Sequence, residues 1–497
     1  MDKKRIIFFS LIFLFIFSYN FTLPRDPDFG WHMKYGEEVV LRHKIHLTDT
    51  FSYTYRGKSV VDTEWLSEGI FYFIYSKFSF LGLSLFSAFF TTLAFFIPII
   101  VFRGNLTVKF LLTVWSVIGS SMVLLVGPRI QNISLVFFSF LTVFLFKYTQ
   151  TGRRRYLWPI PPLFLIWANA HPGYSLGIFL LVIYLLIATA YLFNDLIKSG
   201  IKYNLKEIKK FALLSAIFLL SFCLSGVKPK SIGPSGSSLD VIKALALPVN
   251  LASNVSLVGR VRVSIAEWLP PVLVDLPGTL FYLGILFSIA FFSYQFIDKR
   301  SLKYIIILLV FIYFSLLSRR NAPFFFLIFL PCMLIFLEKK IIESRFPFLR
   351  LLNILTILLM LLWVPARLFK GALDILPSNN NVDVYCRTVK YPCEAINFIQ
   401  KNKPAGNMFN SYDWGGYLIW QLPEYPVFID GRVPGQEIYS EFETVNSLNS
   451  GWQEILAKYN VKWMIIRPNQ TFNFIVKSQD NWQVVYTDEI ANILEKL

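Results

Sequence analysis

The stretch that decides the fold is DKKRIIFFSLIFLFIFSYNFTLPRDPD, Asp2 to Asp28. Its apolar run, Ile6 to Leu23, follows Lys3, Lys4 and Arg5 and ends at Pro24 with no small-residue cleavage site before it. The run exceeds a signal-peptide core and suits a hydrocarbon layer of about 30 Å, so it reads as a retained first membrane helix. Two carboxylates, Asp26 and Asp28, then emerge on the far side.

Working outward, the 497 residues are 55% hydrophobic and 16% charged, with 51 Phe, a composition that excludes an ordinary soluble domain. Further spans of membrane length are centred on 81–102, 109–126, 132–147, 156–170, 174–194, 210–226, 277–297, 302–318, 322–338 and 349–366. With the N-terminus in the cytoplasm, Arg103, Lys109, Lys147, Arg153 to Arg155, Lys198, Lys209, Lys210, Lys303, Lys339 and Arg350 all fall inside. That is the positive-inside pattern, and it predicts a polytopic α-helical protein of about 11 transmembrane helices, N-in and C-out, in the cytoplasmic (inner) membrane. The net charge of +17 is then accounted for by topology and anionic membrane lipids; a nucleic-acid partner is excluded as its explanation. Trp65 to Phe80, apolar but carrying Glu68 and Lys77, reads as an interfacial or re-entrant helix, since a crossing here would invert every later loop.

After about residue 367 the long Phe, Leu and Ile runs stop. The chain divides into a membrane domain, 1–366, with outer loops 24–80 and 227–275, and an extracytoplasmic α/β domain, 367–497. Within the latter, Pro426 to Ile429, Val461 to Ile466 and Trp482 to Tyr486 read as strands, and Cys393 to Gln400 and Trp452 to Tyr459 as helices. Cys386 and Cys393 are close enough in sequence for a disulfide in an oxidising compartment. No His/Cys cluster has zinc-site spacing, and the two halves of the membrane domain show no repeat.

The polar interest gathers on one face. Asp26, Asp28, His32, Glu64 and Glu68 crowd the first outer loop. A partly desolvated carboxylate there can act as a general base or bind a divalent cation that neutralises phosphate; equally, Asp28 can cap the helix that follows. Arg129, Arg319 and Arg320 stand at ends where topology disfavours cations, which points either to an outer phosphate or to pairing with Asp26, Asp28, Glu64 or Glu267. His171, after Asn169 in a short outer turn, can donate to a phosphate or serve the structure. Lys228, Lys230, Arg260 and Arg262 offer further charge in the second loop. In the C-terminal domain Asp413, beside Gly415 and Gly416, and Asp430 with Arg432 mark turns where an α/β domain can place a ligand, or where it packs.

Six motifs in this order, DPDFGWHMKYGEEVV (26–40), TDTFSYTYRGKSVVDTEWLSEGIFYFIY (48–75), WANAHPG (167–173), SRRNAPFF (318–325), YDWGGYLIW (412–420) and VFIDGR (427–432), give the chain a resemblance to the GT-C superfamily of membrane glycosyltransferases, in an uncharacterised bacterial or archaeal branch. The resemblance covers most of the chain. It implies a polyprenyl-phosphate-linked hexosyl or pentosyl donor, an extracytoplasmic acceptor (glycan, lipid or protein) and inverting displacement. It further implies a base at Asp26 or Asp28, with His32, Arg129, His171, Arg319 and Arg320 on the donor phosphate. Some members use a divalent cation, Mg or Mn, which would fall to Asp28; others use none. The competing functions are a non-catalytic scaffold that binds a partner and a lipid or glycan transporter, the latter disfavoured by spans nearly free of central charge.

Overall fold

In the computed structural model, residues 3–45, 48–58, 60, 62–199, 205–227, 266–295, 302–341, 347–432, 436–468 and 481–497 are described. Lys228, Lys230, Arg260 and Arg262 lie outside them. Helix covers most of each membrane-length run among the described residues, with the 109–126 run divided into Leu106–Gly119 and Ser121–Leu124. Among the described residues, six helices are long and apolar enough to cross a membrane by length and composition: Trp65–Val101, Asn132–Thr151, Tyr174–Asn194, Glu207–Ser225, Arg319–Leu337 and Ile354–Ser378. Arg5–Asn20, Leu106–Gly119, Leu276–Phe292 and Leu302–Leu317 are apolar but shorter.

Two compact units emerge from the contacts. The first comprises Met1–Thr22 and most of the chain from Leu85 to Gly371. Its centre is the helix Ala322–Ile341, where Phe325 to Leu330 are wholly buried on every side. A helix apolar all round belongs in such a place. Gly119 lets the Leu106–Gly119 helix approach it, because a Cβ there would overlap the Phe326 ring. Peripheral helices keep apolar faces outward, as at Leu359, Leu362 and Leu219; a hydrocarbon solvent removes the penalty for that.

The second unit joins Leu23–Ser84 to Ala372–Leu497. Its first helix, Phe29–Arg42, packs on the start of the next, Trp65–Val101, through Gly36, whose missing Cβ makes room for the Glu68 carbonyl. That second helix is two helices across a break at Ser79, which takes φ 53° and ψ −148°. Asn379 and Asn380 stitch the break: the Asn379 side chain accepts from Leu81 N–H at 3.0 Å, and Ser79 Oγ accepts from Asn380 N–H at 3.0 Å. The segment ahead of the break therefore changes direction before the membrane-length run from Leu81 begins.

The C-terminal part carries a four-stranded sheet of β1 (Asn407–Asn410), β2 (Val461–Ile466), β3 (Trp482–Thr487) and β4 (Asn492–Lys496), in the order β1-β2-β4-β3. β1 runs parallel to β2, and the other pairs are antiparallel. Cys386 and Cys393 are joined by a disulfide, their Cα atoms 5.8 Å apart. Pro426 to Ile429 is not a strand of this sheet; it forms one isolated parallel bridge, Val427 to Ser52. The physical reason is Asn410, whose side chain stands in for a neighbouring strand: its Oδ1 accepts from Phe428 N–H at 2.8 Å and its Nδ2 donates to Ile429 O at 2.9 Å.

Candidate functional site

The acidic pair sits in the second unit, where DPDFG meets the two C-terminal motifs. Asp26 is buried, and its Oδ1 accepts from Asp28 N–H at 3.3 Å, shaping the turn into the Phe29–Arg42 helix. Asp28 occupies the N-cap position but makes no side-chain cap hydrogen bond. Instead its Oδ1 accepts from Trp31 Nε1 at 3.1 Å, and the carboxylate lies against Gly431, where any Cβ would overlap it. Gly30 and Gly416 make the same kind of approach: a Cβ on Gly30 would strike the Gly416 carbonyl, and one on Gly416 would strike the Pro27 carbonyl. The glycines of YDWGGY and DGR are thus what admit the acidic turn. Tyr391 donates to Asp26 O at 3.2 Å, and Tyr385 to Pro24 O at 3.1 Å. Burial, then the charges of Asp26 and Asp28, push the Tyr391 phenol far up; Tyr412 is raised by burial and then by Asp28 and Asp430. Both phenols are therefore held neutral near the pair, and Tyr391 is the one seen donating to it.

Asp430 and Arg432, together with Asp49, form a closed network. Arg432 donates from Nε to Asp430 Oδ1 at 2.7 Å, from Nη2 to Asp430 Oδ2 at 2.6 Å, and from Nη1 to Tyr35 Oη at 2.8 Å. Its Nη1 is also 3.0 Å from Asp49 Oδ2, and Asp49 Oδ1 accepts from Phe51 and Ser52 N–H. This fork is already occupied by protein carboxylates, which favours a packing role over ligand binding. Asp413 lies apart from it, in an exposed contact with Arg467 at 3.4 Å.

A third cluster, unanticipated as a unit, combines His32 with Glu64, Glu68 and Asp62. His32 Nδ1 lies 2.9 Å from Glu68 Oε1 and 3.8 Å from Glu64 Oε2, and Asp62 Oδ1 accepts from Glu64 N–H at 2.8 Å. Glu68 is wholly buried, ahead of the break at Ser79 and of the membrane-length run beyond it. Burial, then Asp62 and Glu64, hold its carboxyl well above the ordinary range. Three acids against one imidazole call for compensation by a proton on Glu68 or by a cation. Ligand atoms of His32, Glu64 and Glu68 lie within 4.8 Å of one another, the one metal-capable His/Cys/Asp/Glu group among the described residues; Asp28 is not in it. One imidazole with two carboxylates suits Mn better than Mg, which prefers oxygen and retained water.

In the first unit the other predicted residues form two groups. Arg129 pairs with Glu267, one of the partners open to it in the sequence. Ser318 Oγ donates to Glu267 O at 2.9 Å, and Arg319 N–H to Leu269 O at 2.8 Å, so three turns are knitted together. The Arg320 guanidinium lies 5.4 Å from the Trp268 ring centre, a cation–π contact. Arg319 and Arg320 form no ion pair among the described residues, whereas Arg129 does.

His171 is held by a relay the sequence did not reveal. Trp167 Nε1 donates to Ser134 Oγ at 2.7 Å, Ser134 Oγ lies 2.8 Å from His171 Nδ1, and Gly173 N–H donates to the same Nδ1 at 2.9 Å. Since Gly173 N–H donates to Nδ1, that nitrogen is an acceptor, so the Ser134 hydroxyl also donates to it and the imidazole proton sits on Nε2. His171 is thereby set as a neutral Nε2–H donor. Asn169 is committed to backbone, donating to Leu165 O at 2.8 Å and Val227 O at 2.9 Å. Ser134 and Trp167 could have been suspected only as polar atoms inside apolar spans, a signal too common to single them out.

No protein-family model and no curated protein sequence matches the chain. Solved structures do. The oligosaccharyltransferase AglB of Archaeoglobus fulgidus, in complex with an inhibitory peptide and a dolichol-phosphate, aligns at a TM-score of 0.53 and 14% identity over 94% of this chain and 70% of its own. ArnT of Cupriavidus metallidurans, bound to undecaprenyl phosphate, aligns at 0.52 and 11% identity over 99% of this chain and 98% of its own. Both are GT-C membrane glycosyltransferases, and at these identities the likeness establishes a shared fold, that of a multi-pass membrane protein.

Proposed function

We propose that the chain transfers a sugar from a polyprenyl-phosphate-linked donor to an extracytoplasmic acceptor, with inversion, in the cytoplasmic membrane. The observation that carries this reading is the GT-C fold over nearly the whole chain, in neighbours solved with dolichol-phosphate and undecaprenyl phosphate. Asp28 is the base: it is half-buried, held by Trp31 rather than spent on a cap, and Asp26 shapes its turn. Asp28 takes the acceptor proton as the acceptor heteroatom bonds the anomeric carbon, and the bond to the phosphate oxygen breaks with its electron pair on polyprenyl phosphate. Within the first unit, Arg319 and Arg320 offer charge to a donor phosphate and His171 offers its Nε2–H, while Arg129, paired with Glu267, orders the turns around them. A divalent cation fits His32, Glu64 and Glu68, and when bound it would compensate the buried carboxylates. The alternative in which Arg432 or Asp430 binds ligand is disfavoured by their mutual saturation.

The test is transfer by the full chain in lipid nanodiscs, with synthetic polyprenyl-phosphate sugars and a panel of acceptors. Asp28→Asn is expected to lower the rate by ~100-fold or more at unchanged folding. Full activity in that variant would defeat the assignment, and an absence of transfer from any lipid-linked donor would defeat the class of reaction.

A further inference from the structure

At the opposite end of the first unit's helices from His171, a cleft of 1190 Å³ opens between the Lys3–Asn20 helix, the end of Trp65–Val101 and the turn into Leu106–Gly119. Its walls are aromatic. Phe13 and Phe96 meet edge to face at 5.3 Å, and Phe9 and Phe96 at 6.2 Å. Its mouth is cationic, with Arg5 and Arg103 exposed at the rim and Lys109 buried behind them. Lys109 is held in place: Nζ donates to Ile99 O at 2.6 Å and lies 5.2 Å from the Phe9 ring centre. Among the described residues, no Asp or Glu lines the cleft. Lys210, by contrast, a cation that the charge pattern assigns to the same membrane face, is paired with Glu207.

A cleft of this size would hold tens of waters, and its apolar walls are poor partners for water. Cations at a membrane surface above an apolar wall match one class of molecule, which carries an anionic phosphate on hydrocarbon chains. We infer that this cleft binds an anionic glycerophospholipid of the surrounding leaflet, with its phosphate between Arg5 and Arg103 and the upper part of its acyl chains against Phe9, Phe13 and Phe96. Under the N-in topology that leaflet is the cytoplasmic one, so this lipid is distinct from the extracytoplasmic sugar donor. Only the naming of the leaflet rests on that topology; the binding does not depend on the proposed transfer reaction.

The experiment is native mass spectrometry of the detergent-purified full chain, titrated with phosphatidylglycerol and phosphatidylcholine of identical acyl chains. Each Arg near the surface contributes on the order of one factor of five, so the wild type should retain phosphatidylglycerol roughly 10- to 30-fold more tightly than phosphatidylcholine. Arg5→Gln combined with Arg103→Gln should bring the two lipids to near parity, while Lys210→Gln leaves the preference intact. Lys3 and Lys4 remain in the double variant to hold the topology, and a single elution peak reports folding. An unchanged preference in the double variant, equal binding of both lipids by the wild type, displacement by millimolar inorganic phosphate, or preferential occupancy by a polyprenyl phosphate would each overturn the inference. Because no readout involves sugar transfer, a failure here leaves the transfer reading standing, and the reverse holds.

Discussion

Replacing Arg432 by Met removes a guanidinium that bonds Asp430 twice, Tyr35 once and Asp49 once. Both carboxylates are essentially inaccessible, Asp430 at 0% and Asp49 at 1% exposure, so neither can recover its loss from water. Stranding buried charge in this way costs about 3–5 kcal/mol. That corresponds to roughly a 150- to 5000-fold fall in the folded-to-unfolded ratio. The assay is the thermal midpoint of the full chain in detergent, followed by loss of the monodisperse peak. Arg432→Met combined with Asp430→Asn and Asp49→Asn should recover most of the loss, since the asparagines keep the oxygens that accept from the backbone N–H groups of position 432, Phe51 and Ser52. An Arg432→Met midpoint equal to wild type, accompanied by lost transfer, would refute the packing role and return Arg432 to the ligand.

Ser134→Ala leaves the Trp167 indole N–H buried without its acceptor and should cost ~1–3 kcal/mol; it also removes one of the two donors to His171 Nδ1, leaving Gly173 N–H, so donor affinity should fall as well, and unchanged affinity would rule out the relay. Added Mn at 100 times its dissociation constant should stabilise the wild type by about 2.7 kcal/mol. Glu68→Gln should abolish that gain while leaving metal-free stability intact, since Gln resembles the protonated acid that burial and then Asp62 and Glu64 favour; a persistent gain places the metal elsewhere. Loss of the Cys386–Cys393 bond, whose partners are separated by 7 positions, should cost about 2.5 kcal/mol by loop entropy. Reductant should lower the wild-type midpoint to that of Cys386→Ala with Cys393→Ala and leave the variant unmoved; insensitivity of the wild type would contradict the bond's contribution.

Local signals were legible in the sequence and pairings were not. Apolar runs marked the helices because burial and hydrocarbon length act on consecutive residues, and Glu68 with Lys77 marked Trp65 to Phe80 as separate from the run after Ser79. The strands Val461–Ile466 and Trp482–Thr487 were legible for the same reason, whereas Asn407–Asn410 is too short to show a period. Val427 to Ile429 misled because β-branched and aromatic composition fits a strand, while its partners are the Asn410 side chain and one bridge to the segment around Ser52 rather than a strand of the sheet. At the site, the residue types were visible but their partners were not: Arg129 had several acids open to it, and only the fold selects Glu267. Whether Asp430 places a ligand or packs was open in the sequence, because nothing there shows that the neighbouring Arg432 folds back on it.

The glycine contacts that seat the acidic turn have a consequence for how the protein is made. Leu23–Ser84 must wait for its partner segment while roughly 290 intervening residues are synthesised and inserted. At ribosomal speeds that interval is on the order of 15–60 s. During it Asp26 and Glu68 lack the enclosure they have in the finished unit, and the bare glycine faces remain open to water and to quality-control proteases. Closure of this unit must therefore follow synthesis of its last segment, and truncation before Gly416 or Gly431 should leave Leu23–Ser84 open to rapid cleavage.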